Sequence, residues 1–226
     1  MTAKKGRGLL MVYVDVPAEL EAEFNRWYDE EHIPERLSIP GVLNAARYVA
    51  VRGGPKYLAC YELTAPEAYF SDIWQRYLSH PTEWSQRMAP TVIGQNVVRN
   101  LYRLIYPQDV SEEVAQTDMS PALLVGRMAV PPDFEAAFNQ AYNTERLPLY
   151  RSIPGYTRAR RFIAIQSEPP DQPKYTTVHE CQSADVADSP EWEAVRTTRT
   201  PTWSETIGPQ MTFAPGSPGV YTRIFP

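Results

Sequence analysis

From residue 9 the chain alternates with a period of two. Leu10, Val12, Val14 and Val16 form one aliphatic row, and Leu9, Met11, Tyr13 and Asp15 form the other. In a strand these rows lie on opposite faces, the aliphatic one expected under helices and the mixed one in a cavity. Pro17 then opens a helix, where its missing N–H costs nothing. Leu20, Phe24 and Trp27 recur at i, i+4 and i+7 as the apolar stripe of that helix, and "IPG" at 39–41 stops it. "VLNAARYVAV" (42–51) and "KYLACYEL" (56–63) predict two strands joined across "RGGP". "PEAYFSDIWQRYLS" (66–79) predicts a second helix with Tyr69, Ile73 and Tyr77 on one face, and "NVVRNLYRLIY" (96–106) a closing strand.

The whole pattern then returns. "FNRWYDEEHIPERLSIPG" at 24–41 is echoed 114 residues later by "FNQAYNTERLPLYRSIPG" at 138–155, and "LLMVYVDVP" at 9–17 by "LLVGRMAVP" at 123–131. A longer loop in the second copy moves the offset to 118 at "KYTTVHE" (174–180) and to 119 at "VYTRIFP" (220–226). Strand, helix, strand, strand, helix, strand is the split βαβ order of a ferredoxin-like unit. A four-stranded sheet covered by helices on one side must bury its other side, and a duplicated chain does so by stacking its two sheets. The expected fold class is therefore α+β: two tandem ferredoxin-like βαββαβ repeats, 1–107 and 122–226, joined by the acidic, polar linker 108–121. Their antiparallel sheets should lie face to face as a barrel within one chain.

Composition narrows the functions. The net charge of −5 over 226 residues supplies no basic footprint, so nucleic acid is not an expected partner. No apolar run is long enough to cross a membrane. The N-terminal lysines precede a short apolar stretch interrupted by Asp15, with no small-residue cleavage site after it, so it reads as the first strand of a cytoplasmic protein rather than a signal peptide. Two cysteines, Cys60 and Cys181, make neither a disulfide framework nor a zinc site. Three histidines without HxH or HxxxH spacing point to no metal, and His80 reads as a surface loop residue. No phosphate loop, GxSxG elbow or dinucleotide fingerprint is present.

The run "FNRWYDEEHIP…IPG" followed by "ARYVAV…YLACYEL" resembles the dimeric α/β-barrel superfamily. It is most similar to EthD-like members, in which a helix carries an aromatic and then a His-x-Pro step, here His32-Ile33-Pro34. The resemblance covers each half almost completely. It implies a fold and no single reaction, since the superfamily includes monooxygenases, muconolactone-type isomerases, polyketide cyclases, and haem-containing dehydratases and dismutases.

Comparing the two copies separates candidate chemistry from architecture. Tyr28/Tyr142, Glu31/Glu145, Arg47/Arg161, Glu62/Glu180, Trp74/Trp192 and Gly41/Gly155 are kept and read as demands of the fold, with Glu62 expected to pair with Arg47 on the neighbouring strand. His32 becomes Arg146, Asp29 becomes Asn143, Tyr13 becomes Arg127, Asp15 becomes Ala129 and Tyr61 becomes His179. An imidazole titrates near neutrality, so His32 is the expected general acid or base, oriented by Glu31 or Asp29. The end of its helix should raise its pKa. Tyr13, Asp15, Tyr28, Tyr61, Arg127 and His179 are the expected substrate contacts, with a tyrosine or Arg127 holding a developing oxyanion. Strand phase leaves open whether Tyr61 and His179 face the barrel or the helices. The leading expectation is a cofactor-independent lyase, isomerase or cyclase acting on a small hydrophobic, aromatic molecule. The alternatives are a haem-binding or cofactor-free oxygenase of the same superfamily, and a non-catalytic small-molecule-binding accessory protein. A homodimer is compatible with the pattern.

Overall fold

The structure, a computed structural model, describes residues 2–226. The first half runs through β1 (Gly8–Asp15), α1 (Glu21–Trp27), a π-helical turn at Tyr28–His32, α2 (Ile33–Leu37), β2 (Val42–Arg52) and β3 (Tyr57–Leu63). It continues with α3 (Asp72–Ser79), α4 (Glu83–Met88), α5 (Pro90–Ile93) and β4 (Gln95–Tyr106). The short α6 (Glu112–Ala115) leads into β5 (Ala122–Ala129), α7 (Glu135–Ala141), a second π turn at Tyr142–Arg146, α8 (Leu147–Tyr150), β6 (Tyr156–Glu168) and β7 (Tyr175–Cys181). The chain ends with α9 (Pro190–Thr197), the two-residue β8 (Thr212–Phe213) and β9 (Gly219–Phe225).

The strands form the expected barrel, and the sheets of the two halves are joined edge to edge. They form one antiparallel eight-strand ring in the order β4-β1-β3-β2-β9-β5-β7-β6, with β8 an appendage on β5. Two pairings between the halves close it, β4 with β6 and β2 with β9. Closure satisfies the backbone donors and acceptors that two stacked sheets would leave exposed at four edges. β1 behaves as its pattern predicts. Leu10, Val12, Val14 and Val16 pack outward under the first-half helices, and Leu9, Met11 and Tyr13 point into the barrel with Tyr48, Tyr102, Phe162 and Tyr221.

Glu62 does not pair with Arg47. Strand alternation sends Glu62 and its counterpart Glu180 into the barrel interior, where Arg160 from β6 bridges both and Lys5 adds a contact to Glu180 at 3.3 Å. All four side chains are essentially sealed from solvent, and the partly exposed Arg158 adds a third cation 3.9 Å from Glu180. Burial alone would raise the Glu180 carboxyl pKa, but Arg160 and Lys5 hold it below its ordinary value. Arg47 lies on the outer face instead, with its guanidinium on Asp29 Oδ1 at 2.6 Å and Asn25 Oδ1 at 2.5 Å.

Local chemistry explains the helices. Pro34 has no N–H and its ring crowds the carbonyl four residues back. The helix answers by widening at Tyr28–His32, where the Ile33 N–H reaches the carbonyl of Tyr28, while Ile33 itself stays helical. The same widening precedes Pro148 in the second half. Gly41 and Gly155, which end the two "IPG" stops, sit at φ of 95° and 78°, a region that L side chains rarely enter. The second predicted helix breaks at Ser71, which caps α3 by accepting a hydrogen bond from the Trp74 N–H. The break changes the phase, so Trp74 turns inward and Ile73 is exposed.

Candidate functional site

The residues singled out from sequence fall on opposite sides of the barrel wall. Tyr13 and Arg127 lie inside, the guanidinium carbon 4.5 Å from the centre of the Tyr13 ring. Asp15 ends β1 at the barrel mouth, where its carboxylate accepts hydrogen bonds from the Lys56 backbone N–H at 2.7 Å and the Asn96 amide at 2.8 Å. His32, Tyr28 and Tyr61 lie outside, between the sheet and the first-half helices. One shared pocket built from both sets is therefore ruled out by the alternation of β1 and β3.

The outer set lines a cavity of about 320 Å³, within the range of small-ligand sites. Its walls are aromatic. The His32 ring centre stands 4.5 Å from Trp27, 4.9 Å from Tyr28 and 6.3 Å from Tyr61. The Tyr61 hydroxyl donates to the Tyr28 hydroxyl at 3.3 Å. Burial raises the pKa of both phenols, so they remain protonated. His32 is half-buried, its ring reached through the cavity, and its Nδ1 is enclosed without a hydrogen-bond partner.

Neither proposed orienting carboxylate serves His32. Glu31 Oε1 accepts from Trp27 Nε1 at 3.1 Å, Thr82 Oγ1 at 2.6 Å and Ser85 Oγ at 3.0 Å, which ties the π turn to α4. Asp29 is committed to Arg47. In the second half Asn143 makes the same bond to Arg161 at 2.7 Å. Without a carboxylate, burial pushes the Arg161 guanidinium down to about 10. The Asp29-to-Asn143 difference thus alters the charge of a structural bond rather than catalytic machinery. The expected upward shift of His32 is also reversed. Burial, and then the guanidiniums of Arg36, Arg99 and Arg47, hold its pKa well below the ordinary value, so the imidazole is neutral at pH 7.

Sequence reasoning missed Arg36. It is four residues after His32 on the same helical face, and its second-copy counterpart is Tyr150, so the comparison of copies that flagged His32 could have flagged it as well. Arg36 is 6% exposed and lies against the Trp74 and Tyr77 rings; it contacts Glu35 at 3.3 Å, and its Nη1 is buried without a partner. It brings to the His32 cavity a guanidinium that the sequence had led one to expect from Arg127.

In the second half a cavity of about 540 Å³ lies beside Leu124 and Trp192, and neither Arg146 nor His179 lines it. Arg146, the counterpart of His32, donates to the carbonyls of Thr198 at 3.0 Å and Val195 at 3.2 Å at the end of α9. His179, the counterpart of Tyr61, faces the helices, its ring centre 4.7 Å from Tyr150 and 5.4 Å from Trp192, with Nδ1 3.4 Å from the Tyr156 hydroxyl. It is a packed core histidine rather than a substrate contact. Burial and the Arg146 charge lower its pKa to about 3. Below pH 6.5 the unfolded chain therefore takes up a proton that the native state refuses, and stability falls as pH drops toward 3. His179→Phe is expected to remove about 1.4 kcal/mol per pH unit from that slope between pH 6 and 4, read from urea unfolding at each pH. An unchanged slope would place the proton uptake elsewhere.

No described protein family and no curated protein matches the sequence. Solved structures do match across nearly the whole chain. An anthrone oxidase-like protein superposes with a TM-score of 0.61 at 12% identity, covering 99% of this chain and 94% of that one. A chlorite dismutase from Candidatus Nitrospira defluvii gives 0.59 at 9%, covering 99% and 92%. A haem-binding protein from Thermus thermophilus gives 0.56 at 12%, covering 97% and 92%. At these identities the likeness carries the fold, that of the dimeric α/β-barrel proteins. None of the three is described as EthD-like. No helix among the described residues is long and apolar enough to cross a membrane.

The haem-binding neighbour calls for a test of fit. An axial imidazole needs a slot for the macrocycle and an acceptor that anchors its second nitrogen. His80 is exposed at the end of α3, His179 is enclosed by rings, and His32 has no acceptor at Nδ1 and faces guanidiniums. This donor set does not fit haem. Titration with haemin is expected to give no Soret shift that depends on a histidine; a band that moves in His32→Ala would overturn this.

Proposed function

We propose that the first-half cavity is the active site of an oxygenase that uses no prosthetic group and acts on a small enolisable aromatic molecule. The observation that carries the proposal is the neutral His32, its Nδ1 unpartnered, in an aromatic cavity beside the spare donor of Arg36. A neutral imidazole can take a proton from an acidic carbon or phenol at pH 7. Its lowered basicity is offset as the reaction proceeds, because the substrate anion forms next to both the imidazolium and Arg36. Trp27, Tyr28 and Trp74 hold the ring system, and the Tyr28–Tyr61 hydroxyl pair offers a donor to a substrate oxygen. The resulting electron-rich anion reduces dioxygen. For a CH₂ flanked by aromatic rings, R₂CH₂ + O₂ → R₂C=O + H₂O balances, with both C–H protons leaving in the water. The anthrone oxidase-like neighbour is consistent with this reading and favours it over a lyase, isomerase or cyclase.

We also take the two halves to be a tandem duplication of a ferredoxin-like unit in which the His32 half kept the imidazole-lined pocket and the Arg146 half did not. The test is oxygen uptake with an anthrone or hydroquinone substrate, followed with an electrode and by product mass. One O₂ consumed per product is expected. Turnover that continues unchanged without oxygen would support the acid–base lyase or isomerase reading instead.

A further inference from the structure

A second cavity, of about 670 Å³, opens at the barrel mouth on the other side of β1 from His32, between the β2–β3 turn and the loops at 169–172 and 215–216. Arg127 lies in its wall. It is 4% exposed and, among the described residues, forms no ion pair. Protein groups take two of its five N–H donors: Gln172 Oε1 accepts from Nη1 and the Pro215 carbonyl from Nη2, both at 3.2 Å. The nearest carboxylate on the rim, Asp15, is occupied by the Lys56 N–H and Asn96, and the Lys56 ammonium is paired with Glu21.

This cation differs from the other buried arginines. Arg160 has two carboxylates and Arg47 has one. Arg146 and Arg161 have none, but their guanidiniums lie on carbonyl and amide oxygens in filled cores. Arg36 belongs to the His32 cavity, and of these five Arg127 alone lines a cavity large enough for an organic ligand, with donors left over. A buried charge is costly until it meets a counter-charge, so the site favours an anion. The remaining wall is apolar, including Ala50, Val97, Val98 and Pro215. Further down the same face of β4, Asn100 and the Tyr102 hydroxyl are buried and continue the polar surface inward.

We propose that the barrel mouth is a second ligand site, separate from the His32 cavity, that takes a small organic carboxylate with its charge on Arg127 and its apolar body against Val98 and Pro215. The geometry suits a carboxylate, whose two oxygens match the forked donors of a guanidinium.

The test uses calorimetric titration of the full chain with benzoate, and with benzamide as its neutral isostere. Benzoate is expected to bind at least about tenfold more tightly than benzamide, and Arg127→Gln to abolish that preference. His32→Ala should leave benzoate binding intact, which separates this site from the catalytic one. Should Arg127→Gln fail to fold, Gly54→Trp provides the second probe. Gly54 lines the same cavity and a Cβ there meets no atom within 4 Å, so the indole can be added at the rim without displacing the core. It should weaken benzoate binding by a similar factor. Equal affinity for benzoate and benzamide, binding that survives both substitutions, or binding lost in His32→Ala would each overturn the proposal.

Discussion

Arg160→Met is expected to destabilise the protein by about 3–5 kcal/mol at pH 7, measured by urea or thermal unfolding. The residue bridges Glu62 and Glu180 inside the barrel, where all three side chains are at most 3% exposed. Its removal leaves the two carboxylates with Lys5 and, at 3.9 Å from Glu180, the partly exposed Arg158, in a medium that screens charge poorly. The pH dependence supplies an internal check. In the native protein Glu180 has a depressed pKa, so its contribution is present above the ordinary carboxyl range and is lost as pH falls through the depressed value. In Arg160→Met, burial without the guanidinium raises the carboxyl pKa, so protonation relieves the variant as pH falls toward 5. The stability gap should therefore narrow in acid. Adding Glu62→Gln to Arg160→Met should recover part of the loss at pH 7, because one uncompensated charge goes with it. A single variant within about 1 kcal/mol of the parent would show that water or backbone groups already satisfy the carboxylates.

His32→Gln is expected to lower kcat by ~10²–10⁴ with KM changed little, the range associated with losing one positioned base. The glutamine keeps a polar side chain in the cavity, while the walls formed by Trp27, Tyr28 and Trp74 still bind the substrate rings. The pH profile distinguishes a base from a spacer. A catalytic base must be unprotonated, and the native pKa of His32 lies well below its ordinary value. Activity of the parent protein should therefore stay level through pH 6.5 and fall only in stronger acid, as pH drops through the lowered pKa. His32→Gln should lose that acid limb altogether. Retention of full kcat, or an acid limb that persists in His32→Gln, would assign the proton transfer to another group. Oxygen uptake and product formation should fall together in the variant, since the anion must form before oxygen can react.

Much of this architecture can be read from residue order because it depends on short-range periodicity. The alternation of Leu10, Val12, Val14 and Val16 against Leu9, Met11 and Tyr13 is a property of one strand, and both rows pack where that alternation sends them. "IPG" marks the helix stops because few residues other than glycine tolerate the φ found at 41 and 155. The substitution of Arg146 for His32 marks a local difference between the halves, since the guanidinium bonds Val195 and Thr198 whereas the imidazole lines a cavity.

What lay beyond the sequence was decided by closure of the barrel and by the fit of side chains from distant segments. Strand phase placed Tyr13 in the barrel but left the facing of Tyr61 and His179 open, and Tyr13 and Arg127 were expected to act on the same substrate as His32, whereas β1 separates them. Spacing paired Glu62 with Arg47 because they lie on adjacent strands, but their side chains emerge on opposite faces and Glu62 meets Arg160, 98 positions away. Glu31 and Asp29 stood beside His32 in the chain, yet the π turn directs one to Ser85 and the other to Arg47. Periodicity along the chain sets what each element buries. Long-range partners and the resulting burial set the charge that a side chain carries, which is why a histidine expected to be made more basic by a helix end is instead held neutral in an aromatic cavity.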